Sequence, residues 1–198
     1  MKNYSLEFDA LVKSRRSTRK YNGKLPSDAV LASVIAAGRY APSGFNSQGT
    51  HIIVVKTPAI IASFNTALTA ILKIVPLSEK TPPMLAGLVK QAQTAEISVT
   101  YGAPVVILVA SKTGYVNAVK DTSCVMENMQ LAATANCIGS CWINFFGMFG
   151  NAAPLKAIYE SIGLQKDEEV QAALVLGESD DIATTSILRE NGNPVTFA

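Results

Sequence analysis

The chain has 198 residues, 48% of them hydrophobic and 16% charged, with a formal net charge of +2. That composition fits one domain with a sizeable core and excludes a disordered chain. So small a net charge is too little to imply a nucleic-acid or membrane partner, and the useful feature is its local clustering.

The opening residues lack the apolar centre of a signal peptide, and the most apolar run, 104–110, is too short to span a bilayer. A cytoplasmic location is therefore expected. Cys124, Cys137 and Cys141 are an odd set without metal-ligand spacing, and the single histidine, His51, lies far from them. Reduced thiols are expected, and neither a metal centre nor a histidine-dependent triad leads the reading.

Phe8, Leu11 and Val12 recur at helical spacing and predict a short first helix. Directly after it, Arg15, Arg16, Arg19 and Lys20 are interleaved with Ser14, Ser17 and Thr18. Two readings stand open here. Guanidinium forks with small hydroxyls suit a phosphate, whereas the same cations also suit a solvated face that relieves a helix C-terminus.

Ser27 as cap and Asp28 in the first turn start a second helix, whose stripe is Val30, Leu31, Val34 and Ile35 and whose end Gly38 marks. A loop of small and amide residues follows, with Pro42, Ser43, Gly44, Asn46 and Gln48, and it leads into a β-branched strand over 51–56. Asn and Gln side chains suit a ring that displays N–H and C=O groups side by side, while a plain connecting loop explains the same residues.

Thr57-Pro58 opens a strongly periodic helix, and a polar, proline-containing connection runs over 75–83. Thr81-Pro82 starts a weaker helix to about 98, and a buried strand covers 105–110. A long alanine-rich helix is predicted over 121–138 with Gly139 as its C-cap, then a short strand over 140–144 and a loop at 145–147. Asn144 and Phe145 in that loop are placed to present backbone N–H groups, although Trp142 and the phenylalanines are equally core residues. A helix closed by Gly163, a fourth strand over 170–176 and a polar tail carrying Arg189 complete the chain. Strands so widely separated in sequence predict an α+β or α/β layered domain. Neither GxGxxG nor GxxxxGK[ST] occurs, so any phosphate donors must be side chains.

Five motifs fall in order: Arg-Arg-Ser-x-Arg-x-aromatic, Ala-Pro-Ser-x-x-Asn-x-Gln, Tyr-Gly-Ala-Pro before a strand, Ile-Gly-Ser-Cys-Trp-Ile, and a last strand ending Leu-Gly. In that order the chain resembles the FMN-dependent nitroreductase family from about residue 11 to 189. The resemblance implies an α+β fold with a mostly antiparallel central sheet wrapped by helices. It also implies an intertwined homodimer with two FMN sites at the interface.

By motif, it assigns Arg15, Arg16 and Ser17 to the FMN phosphate, and Arg19 to the phosphate or the pyrimidine end of the ring. Pro42, Ser43, Gly44 and Asn46 would approach the flavin from the partner subunit with Gln48 nearby. Asn144 and Phe145 would offer backbone contacts, and Arg189 would complete the phosphate site. The implied activity is hydride transfer from NADH or NADPH through FMN to a nitroaromatic, quinone or similar acceptor, in ping-pong order. A flavin carrier, store or sensor is the alternative. The chain departs from the pattern at Gly49-Thr50, where the family often has Pro-Trp, and at Asn144-Phe145, where some members carry Glu-Gly.

Overall fold

The apolar runs read as strands all join one sheet. The computed structural model describes residues 5–182 and 192–197. Its elements are α1 (Ser5–Ser14), α2 (Asp28–Arg39), β1 (Thr50–Val55), α3 (Pro58–Ile74), α4 (Pro83–Ala92) and β2 (Val105–Lys112). They continue with α5 (Ala118–Ala135), β3 (Gly139–Ile143), α6 (Phe145–Met148), α7 (Ala153–Ser161) and β4 (Glu168–Gly177). The sheet order is β1-β2-β4-β3, and each neighbouring pair is antiparallel.

Both faces of the sheet are covered, which is why its central strands read as continuous apolar runs. On β2, Val105, Ile107 and Val109 pack beneath α2 and α5, while Val106, Leu108 and Ala110 face α3, α4, α6 and α7. Strand alternation breaks once. Val109 faces Ala172 but Ala110 faces Val170, so Gln171 is the extra residue of a bulge. That bulge puts Val170 and Ala172 on opposite faces of the sheet despite their spacing of two. On the α3 side, Phe64 meets the ring of Phe146 edge-on at 5.2 Å. The Tyr159 hydroxyl donates to Phe146 O at 3.0 Å, and burial pushes its phenol pKa up.

Several boundaries differ from the sequence reading. Ser27 caps α2 as expected, accepting from Val30 N at 3.3 Å. Thr57 stands at the cap of α3, but its side chain makes no capping bond. Thr81 does not open α4; its hydroxyl accepts from Ser78 N at 2.9 Å, and the helix starts at Pro83. Residues 145–147 form a helical turn, not an open loop.

The largest correction concerns α5, which spans Ala118–Ala135 and is not closed by Gly139. Cys137 takes the left-handed turn at φ 54°. Cys137 N then donates to Thr134 O at 3.0 Å and Ile138 N to Ala133 O at 2.9 Å, the paired bonds of a Schellman ending. Gly139 is instead the first residue of β3, where a Cβ would stand 2.8 Å from Thr18 Cγ2. Its role is close packing.

Among the described residues, no helix is long and apolar enough to cross a membrane.

Candidate cofactor-binding site

The basic stretch begins where α1 ends and runs along β3, an edge strand of the sheet. Ser17 forms an isolated parallel bridge with Ser140, and Thr18 N donates to Ser140 O at 2.8 Å. The stretch thus covers an edge that would otherwise expose unpaired backbone groups. The Tyr21 hydroxyl pins it further by donating to Thr18 O at 2.9 Å. Burial pushes the Tyr21 phenol pKa up, with the Cys141 thiol adding to this and Arg19 opposing it.

The helix-end reading of the cluster is seen on Arg16, and the same side chain keeps a nitrogen uncommitted. Arg16 Nη1 donates to Lys13 O at 3.1 Å and Arg15 O at 2.7 Å, relieving the end of α1. Its Nη2 is buried and has no hydrogen-bond partner among the described residues, and neither does the buried Ser140 Oγ. A guanidinium nitrogen shielded from water without an acceptor is costly, and an external anion would satisfy it. Arg15 is only loosely engaged, with Nε 3.7 Å from Glu127 Oε1. Ser17 and Arg19 are exposed. Beneath them, burial pushes the Cys141 thiol pKa up, against the opposing influence of Arg19, a Ser17 hydrogen bond and Arg15. Two loosely committed arginines, an exposed serine and a buried nitrogen without a partner are a donor set that fits a phosphate.

The second group is the loop after α2. Three of its residues other than glycine have left-handed backbone: Phe45 at φ 54°, Asn46 at 52° and Gln48 at 49°. Single residues tolerate that region at a cost; three within four positions need outside support. Inside the loop, Gln48 N donates to Ser43 Oγ at 2.9 Å and Gln48 Nε2 to Asn46 Oδ1 at 3.2 Å. From outside, Asp121 Oδ1 accepts from Gly44 N at 2.9 Å. A Cβ on Gly44 would lie 2.2 Å from Asn117 Nδ2, so a larger residue there requires that side chain to move. Pro42, Ser43, Asn46 and Gln48 line a cavity of about 590 Å³ together with Arg39, Thr50 and Asp121. Gly44 stays behind the wall, and the volume suits a cofactor-sized ligand.

The third group follows β3. Asn144 is exposed, Phe145 is half-buried and stacks on Phe149 at 6.1 Å, and Phe146 is fully buried. Phe146 is therefore core, and Asn144 is the exposed residue of the turn. Arg189 lies outside the described residues.

Within one chain the basic stretch docks at the start of β3 and the Asn144 turn follows its end, whereas the 42–48 loop leads into β1 at the opposite sheet edge. Three strand spacings put those edges about 14 Å apart. Helix α5 reaches both groups, with Asp121 against the loop and Glu127 near Arg15, but these positions differ by about 9 Å along the axis and about 120° around it.

The sequence reading missed Asp121, Tyr115, Asn117 and Glu127. Asp121 had a readable signal. It lies on the buried stripe with Val125 and Met129, where a carboxylate requires partners.

No group of three metal-ligating side chains occurs among the described residues, and all three cysteines are free thiols. His51, in β1 just after the 42–48 loop, has its Nδ1 2.8 Å from Glu168 Oε2.

Comparison with known proteins agrees with this architecture. A nitroreductase from Bacteroides fragilis, solved with bound FMN, superposes with a TM-score of 0.80 at 27% identity over 100% of both chains. One from Desulfitobacterium hafniense, also solved with FMN, gives 0.77 at 22% identity, covering 99% of this chain and 100% of that one, and shares the fold. A curated relative from Archaeoglobus fulgidus, whose name couples NADH dehydrogenase with NAD(P)H nitroreductase, is 28% identical over 171 residues, 86% of this chain and 84% of that protein. The signature of the Nitroreductase family matches residues 12–178, and the chain belongs to that family.

Proposed function

We propose that the protein is an FMN-dependent oxidoreductase. It takes a hydride from NADH or NADPH and delivers it to a nitroaromatic, quinone or similar acceptor, the two substrates using one pocket in turn. The observation that carries this reading is the cationic stretch laid along β3, in which the buried Arg16 Nη2 has no partner among the described residues. The Bacteroides relative solved with FMN supports the choice of cofactor, and the name of the Archaeoglobus relative supports nicotinamide as donor.

Arg15, Arg16 and Ser17 hold the phosphate, with Arg189 as a further cation. Arg19 supplies positive charge toward the pyrimidine end, where reduction leaves negative charge. Asn144 and Phe145 offer backbone N–H groups, and Pro42, Ser43, Asn46 and Gln48 meet the ring from a second copy of the chain, with Gly44 giving the loop its close packing behind them. Bound FMN supplies the hydride-accepting and hydride-donating centre, so no protein nucleophile is required.

A homodimer is supported by the placement of the two groups at opposite sheet edges. It is supported also by exposed Tyr40, Phe45, Val116 and Val119 around the loop and its supports, an apolar surface suited to burial in an interface.

An absorbance spectrum of the purified protein, followed by anaerobic titration with each nicotinamide, tests the proposal. Flavin bands that bleach with NADH or NADPH are expected. Colourless protein that takes up no added FMN would overturn the reading, and a yellow protein inert to both donors would favour a carrier or sensor.

A further inference from the structure

Asp121 is 4% exposed, and no cation pairs with it among the described residues. Its charge is met by dipoles. It sits in the first turn of α5, where the helix favours an anion, and both carboxylate oxygens accept hydrogen bonds. Gly44 N donates to Oδ1 at 2.9 Å, and the Tyr115 hydroxyl donates to Oδ2 at 2.9 Å. The same hydroxyl lies 3.0 Å from Ser47 Oγ. One buried carboxylate and one phenol therefore grip the loop on both sides of its left-handed residues, Phe45 and Asn46. Asp121 also lines the cavity that Asn46 and Gln48 face.

We propose that Asp121 and Tyr115 are positioning residues for the flavin: they hold the 43–48 loop in the left-handed form that sets Asn46 and Gln48 against the cavity. The inference rests on the reading that this loop meets the flavin ring. It assigns the pair an effect on ring placement, separate from phosphate capture by the basic stretch. Their carboxylate and hydroxyl touch the protein loop, and act on the cofactor through it.

The test uses the full-length protein in four forms: wild type, D121A, D121N and Y115F. Each is measured for FMN affinity by flavin fluorescence, for the position of the bound-flavin absorption band, and for the thermal midpoint of the FMN-free protein. D121A removes both acceptors and should weaken FMN binding about tenfold or more, the loss expected when two hydrogen bonds that hold the loop are removed. Y115F should weaken it severalfold and shift the absorption band, with a lowered midpoint as well because the buried Asp121 Oδ2 loses its hydroxyl donor. D121N keeps an acceptor for Gly44 N and should restore affinity to near wild type.

If D121A does not fold, Y115F decides the matter. Unchanged affinity and band position in Y115F overturn the inference, as does a lowered midpoint in any folded variant with no change in flavin binding. D121N as weak as D121A would assign the effect to charge and overturn positioning. Wild-type protein that binds no FMN would remove the cofactor reading and this inference together; a variant indistinguishable from wild type removes the inference alone.

Discussion

Arg16 commits one nitrogen to the end of α1 and leaves another buried beside a strand edge, without a partner among the described residues. A buried donor without an acceptor destabilises by about 1–3 kcal/mol, more for a charged group, so the folded chain carries this cost until an anion arrives. Arg16→Met keeps much of the apolar stem and removes the unpartnered group. The expected outcome is an FMN-free protein whose thermal midpoint is unchanged or higher, with FMN affinity about tenfold lower or worse. Thermal unfolding and fluorescence titration check the two halves, and unchanged affinity with a fallen midpoint would make Arg16 a purely structural residue. The cluster was visible in the sequence, but its division of labour was not. Which nitrogen caps a helix and which is shielded depends on how Ser17 and Thr18 dock on β3.

At the scale of elements, the four strands were legible because residues such as Val105 to Val109 are apolar toward both faces of the sheet. Helix α3 was legible from an unbroken stripe. The end of α5 was not, because a left-handed C′ residue is usually glycine and here it is Cys137. An L-residue other than glycine, Asn or Asp loses about 1–2 kcal/mol in that conformation. Cys137 is exposed, so replacing it removes no core packing. Cys137→Gly should therefore stabilise the protein by about 1 kcal/mol, offset in part by unfolded-chain entropy. That corresponds to a rise of roughly 2–4 °C in thermal midpoint for a chain of this size. A fall on differential scanning calorimetry would show that the thiol contributes something the helix ending does not require. The grip of Asp121 on the 42–48 loop was equally hidden from the sequence: the two segments are 77 positions apart and meet only in the folded molecule.

For the molecule as a whole, the sheet order decides how much of the site one chain builds. With β3 and β1 at opposite edges, the proposed phosphate wall and the proposed ring-facing loop belong to different margins of the same protomer. In the proposed dimer a second copy of the chain supplies the missing margin to each site, and in the proposed site the basic wall anchors the cofactor through its phosphate. Comparing FMN with riboflavin, which has the same ring and no phosphate, tests that claim most directly. In a titration of the FMN-free protein at fixed ionic strength, FMN should bind at least about a hundredfold more tightly than riboflavin, as two or more charge-assisted contacts imply. Equal affinities for the two flavins would contradict the account.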